Sequence, residues 1–100
     1  MEGLNETTWL LVQRLFNPEH QEQAAGILTS GSRDLPFPGH KEFLERMQFA
    51  MLKCSEGSIE KLRAAVRLAH LDFRDTLTGA GFGKSLTAHQ EWAQRILKES

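Results

Sequence analysis

Ile59-Glu-Lys-Leu-Arg-Ala-Ala-Val-Arg-Leu-Ala-His-Leu-Asp-Phe-Arg-Asp-Thr-Leu-Thr78 decides the fold class. At about 100° per residue, Ile59, Leu62, Val66, Ala69, Phe73 and Leu77 fall on one stripe of a helix, and Ala64, Leu68 and Leu71 on another. Such a helix is roughly 30 Å long at 1.5 Å rise per residue. Two apolar stripes require neighbours on two sides, so this stretch is expected to be the spine of a helical domain.

The flanking sequence supplies the neighbours. Asn5 or Thr7 suits the N-cap of a first helix ending near Phe16, with Trp9, Val12 and Phe16 on one face. Asn17-Pro18 reads as an N-cap followed by proline at the first helical position, opening a second helix that runs to about Thr29. The connector Ser30-Gly-Ser-Arg-Asp-Leu-Pro-Phe-Pro-Gly39 carries two prolines and two glycines and is expected to be turned or extended. A third helix over His40–Cys54 presents Phe43, Met47, Ala50, Met51 and Cys54, with Phe49 and Leu52 outside that stripe; Met47, Met51, Phe49 and Leu52 could supply an adaptable apolar surface. Gly57 and Ser58 stop one helix and start the next, and Thr87-Ala-His-Gln90 has the form of a capping box before a last helix. No segment alternates like a strand. The expectation is an all-α, compact five-helix bundle, orthogonal or up-down, as a single domain over residues 1–100, with a long fourth helix at its centre.

Composition narrows the function classes. Twelve Lys and Arg against 13 Asp and Glu leave a formal net charge of -1, so no global field draws the chain to nucleic acid or anionic membrane. A single cysteine, Cys54, forms no internal disulfide, and the acidic start Met1-Glu-Gly-Leu-Asn-Glu6 lacks the basic and apolar regions of a signal peptide. A cytoplasmic protein without membrane contact is expected. His20, His40, His70 and His89 include no i,i+3 or i,i+4 pair, which argues against a metal site, and no cofactor is expected.

Thr78-Gly-Ala-Gly-Phe-Gly-Lys-Ser85 nearly spells a phosphate-binding loop, but Thr78 stands where the first glycine belongs, and the stretch follows a helix rather than a strand. Its glycines read as a turn that lets the chain fold back on the long helix. A helix-turn-helix reading of the Gly57 turn fails because the second apolar stripe implies that much of the following helix is covered.

Chemistry is concentrated in a polar strip between the two stripes: Arg63, Arg67, His70 and Arg74, at spacings of four, three and four. Arg63 and Arg67 repel as like charges at i,i+4, so something acidic is expected opposite. Glu19, Glu22, Glu42 or Glu45 could supply it from within. Alternatively the strip docks an acidic partner segment or a phosphate-bearing ligand through arginine's planar fork, or binds nucleic acid weakly. Asp75, expected in the last turn of the long helix where the macrodipole disfavours negative charge, needs a donor such as His89, Trp92 or the next helix N-terminus. That implies a polar clamp between the last two helices; a carboxylate–histidine catalytic pair is the alternative, with no nucleophile beside it.

The same segment carries a resemblance. Asp72-Phe-Arg-Asp75, then Ala80-Gly-Phe82, then His89-x-x-Trp92 resembles a pattern in small uncharacterised bacterial proteins, and that resemblance implies no activity. The expected role is therefore a small non-catalytic interaction module, for another protein or for a second copy of itself, that uses an exposed part of the fourth helix or of Leu35-Pro-Phe-Pro38. The rival is a ligand-binding or enzymatic pocket at the junction of the last two helices, built from Arg74, Asp75, Lys84 and His89.

Overall fold

A computed structural model describes residues 4–33, 41–85 and 87–98. Among these residues the fold is all-α, with six helices rather than five and no strand: α1 (Glu6–Leu15), α2 (Pro18–Arg33), α3 (Lys41–Ser55), α4 (Ile59–Leu71), α5 (Phe73–Ala80) and α6 (Ala88–Lys98). The additional helix arises because the expected fourth helix is broken at Asp72. That residue takes an extended conformation (φ -157°, ψ 98°). Its backbone N–H closes α4 on the Leu68 carbonyl at 2.7 Å. Its carboxylate accepts from the Arg74 N–H at 3.0 Å and so caps the start of α5. One side chain thus ends one helix and begins another, by the ordinary chemistry of an aspartate N-cap.

Other caps are local and lie close to expectation. Asn5 Oδ1 accepts from the Thr8 N–H at 2.8 Å, and Ser58 Oγ from the Lys61 N–H at 3.3 Å. Glu56 (φ 50°) and Gly57 (φ 79°) are both left-handed. At Gly57 a Cβ would lie 2.6 Å from the Leu15 carbonyl oxygen, so this turn needs glycine twice over, for its φ and for the close approach of α1. Before α6, Ser85 Oγ accepts from the N–H groups of both Thr87 and Ala88 at 3.2 Å, which makes Ser85 the polar side chain that holds the turn while the Thr87 carbonyl receives the first helical bonds.

Three further expectations are corrected. The stretch Ser30–Arg33, assigned from its glycine and serines to a connector, is the last turn of α2. Ser32 Oγ bonds back to the Leu28 carbonyl at 2.6 Å and accepts from Gln48 Nε2 at 3.2 Å, so tertiary burial overrides weak helix propensity. The centre of the domain is α3, not the fourth helix. Every residue from Met47 to Leu52 is buried, and α3 touches all five other helices. Met47, Phe49, Met51 and Leu52, expected as a potential surface, are at most 1% exposed. With neighbours all round, α3 buries every side of its middle turns, as a core helix does.

Two cations of α3 hold the far end of α5. Arg46 Nη2 donates to the Phe82 carbonyl and Lys53 Nζ to the Ala80 carbonyl, the latter at 2.8 Å. Positive charge there complements the negative end of the helix. Gly81, left-handed at φ 82°, turns the chain, and the Phe82 side chain re-enters the core against Trp92 (5.9 Å between ring centroids). Gly83-Lys84-Ser85 follows this helix-ending turn.

Candidate functional site

Burial splits the two apolar stripes of the opening stretch. Leu62, Ala65 and Ala69 of α4 are buried, as are Thr76, Leu77 and Ala80 of α5. The second stripe stays open: Ala64 is exposed, Leu68 is 39% exposed and Leu71 is 85% exposed. This corrects the expectation of a second covering neighbour. With α3 as the hub, α4 packs on its α2, α3 and α5 flanks and leaves its remaining face outward.

Beside that open face runs a groove of about 580 Å³ between α2 and α4. Its α2 wall is a helical face with Gln23, Gly26, Ile27, Ser30 and Gly31, and its α4 wall presents Arg63, Val66 and Arg67. The helices pinch together at Gly31, where a Cβ would stand 2.6 Å from Val66 Cγ1. At the same place His70 Nε2 lies 2.8 Å from the Gly31 carbonyl oxygen, tying α4 to α2. Gly26 differs: no heavy atom comes within 4 Å of its missing Cβ, so it opens the groove without being required by close packing.

The polar strip is therefore divided. Arg63 and Arg67 line the groove, and His70 serves the contact between helices. Arg74, beyond the break at Asp72, lies over the Phe73 ring at 5.9 Å on α5. The internal acids proposed for the strip have other neighbours: Glu19 stands 3.6 Å from His20, while Glu45 accepts from Asn5 Nδ2 at 2.9 Å and lies 3.6 Å from His89 Nε2. Glu22 is exposed, and the Glu42 side chain and the segment Leu35-Pro-Phe-Pro38 lie outside the described residues, as does His40. Among the described residues neither Arg63 nor Arg67 makes an ion pair or a side-chain hydrogen bond.

The Asp75 expectation rested on its place in the last turn of a long helix. With the chain broken at Asp72, Asp75 instead occupies the first turn of α5, where the helix dipole favours a carboxylate, and its side chain is exposed. The demand for a compensating donor disappears. His89 and Trp92 belong to a different constellation. His89 is 3% exposed, edge-on to Phe49 (5.5 Å) and Phe82 (6.2 Å), and Trp92 packs on the same two rings. Neither ring nitrogen of His89 has a hydrogen-bond partner among the described residues. Burial pushes its pKa down, Glu45 opposes this and Arg46 reinforces it, so the neutral imidazole is favoured. Lys84 is exposed on the turn before α6, whereas His89 is buried. Cys54, half-buried on α3, has its thiol pKa raised by burial, which suppresses the nucleophilic thiolate.

Sequence reasoning had named the arginines but not the α2 wall facing them. The available signal was Gln23, Gly26, Ile27 and Ser30 at helical spacing, with Gly26 inside an otherwise regular helix. No family model, curated protein or solved structure matches the chain. No described helix is long and apolar enough to cross a membrane.

Proposed function

We propose that this protein is a small interaction module that acts by binding another protein, without catalysis, through the outward face of α4. The observation that carries this reading is the open stripe of Ala64, Leu68 and Leu71 beside two arginines that lack an acidic partner among the described residues. An exposed leucine alone is ordinary; leucines in a row next to uncompensated guanidinium groups make a surface that gains from being covered. The distribution of reactive side chains supports binding over catalysis. His89 is enclosed by aromatic rings, the Cys54 thiol is held protonated, and Arg74, Asp75 and Lys84 are exposed on α5 and the turn beyond it while the imidazole is buried.

The test is a panning of a displayed random-peptide library against the purified chain, with light scattering to report self-association. Peptides that bind wild type should bind Leu71→Ser at least about tenfold more weakly, while the melting temperature of that exposed-site variant stays near wild type. Equal binding to both proteins would remove the α4 face from the function. Dimers in light scattering that Leu71→Ser dissociates would identify the partner as a second copy.

A further inference from the structure

Resting on the reading of α4 as a docking face, we propose that the groove between α2 and α4 receives an acidic amphipathic segment of another protein. An apolar side chain of that segment seats over Gly26 and Ile27, and its carboxylates meet Arg63 and Arg67.

Charge selects the occupant. Arg63 and Arg67 stand one helical turn apart, about 6 Å along the axis. As like charges at i,i+4 they weaken the isolated helix slightly, and anions placed opposite reverse that cost. Glu19 and Glu45 are engaged with His20, Asn5 and His89. Two planar guanidinium forks spaced along a helix suit two separate carboxylates on one chain. A duplex nucleic acid fits less well, because Arg74 has left the line and the whole chain carries a net charge of -1.

Shape selects the apolar anchor. Val66 against Gly31 closes the groove tightly, whereas the open space at Gly26 leaves an indentation beside Ile27. Glycine inside a helix costs about 1 kcal/mol relative to alanine, and here no neighbour requires it. The indentation thus joins an apolar floor to a cationic rim, the layout of a helix-lined groove that holds an amphipathic peptide.

The peptides selected on wild-type protein provide the probe, and three variants separate the possibilities. Selected sequences should combine Asp or Glu with a large apolar residue. Binding should fall at least about tenfold in Arg63→Glu/Arg67→Glu and also in Gly26→Gln, and should weaken with added salt. Gly26→Gln fills the groove from a position with free space around its Cβ, so circular dichroism and melting should remain those of a folded protein. Binding lost in Leu71→Ser but retained in Gly26→Gln would overturn the groove proposal and leave the docking face standing. Selection of neutral or basic peptides, indifference to the arginine reversals, or tighter binding of a duplex DNA probe than of the peptides would overturn it as well. Failure to select any peptide would overturn the groove proposal, and if the chain is also monomeric in light scattering it would overturn the docking face as well.

Discussion

His89 shows how a single side chain can be essential to packing while looking like chemistry. It sits among Phe49, Phe82 and Trp92 with Glu45 at 3.6 Å, on the α3 side of α6. Its pKa lies below the ordinary value of 6.5 because burial disfavours the imidazolium, and the attraction of Glu45 only partly offsets this. The unfolded chain takes up the proton near pH 6.5, and the folded protein does so only at lower pH. The stability linked to His89 is therefore intact above about pH 6.5 and falls as the pH drops from there through the folded pKa. Melting curves between about pH 7.5 and pH 5 should show wild type losing more stability than His89→Gln over that interval. Parallel losses would mean that His89 does not titrate differently on folding.

Asp72 divides what periodicity alone would join. Phe73 and Leu77 continue the apolar stripe of α4 past the break, so hydrophobic spacing cannot reveal it, and both remain packed on the core. The legible clue was local: an aspartate followed three residues later by a second acid, the form of a helix start with negative charge in its first turn. Asp72→Ala removes the acceptor for the Arg74 N–H and should lower stability by about 1 kcal/mol, measured by denaturant unfolding. Unchanged stability would show that the break is set by packing of α5 on α3 rather than by the cap. The end of α2 was misread for a complementary reason. Gly31 has the look of a helix stop, yet its lack of a Cβ is what allows Val66 to approach, and that partner lies far away in sequence.

For the molecule as a whole, α3 collects the core and α4 is left with a divided surface. That division makes stability and binding separable at Arg63. Arg63→Glu replaces a repulsive i,i+4 arrangement with an attractive one towards Arg67 but sets a like charge three residues after Glu60, and Arg63 makes no ion pair among the described residues that would be lost. These opposed effects nearly cancel, so its unfolding free energy should change by no more than about 0.5 kcal/mol, while capture of acidic peptides is lost. A drop of about 1 kcal/mol or more would reveal that Arg63 serves the fold and would weaken its assignment to a partner.

Helical periodicity, the caps at Asn5 and Ser58, the turn at Gly57 and the presence of Arg63 and Arg67 on one strip were all legible in the amino-acid order. Each depends on residues within a turn or so of one another, where backbone geometry and short-range hydrogen bonds act directly. Which apolar stripe is covered, which helix becomes the hub, and what faces the arginines were not. Leu62 and Leu68 are the same residue type on the same helix, one fully buried and the other 39% exposed. The difference comes from distant helices competing for a limited set of neighbours, and α3, in contact with every other helix, leaves α4 one face uncovered. Burial is a property of the assembled helices, so the open stripe and the groove beside it come into being only when the chain has folded.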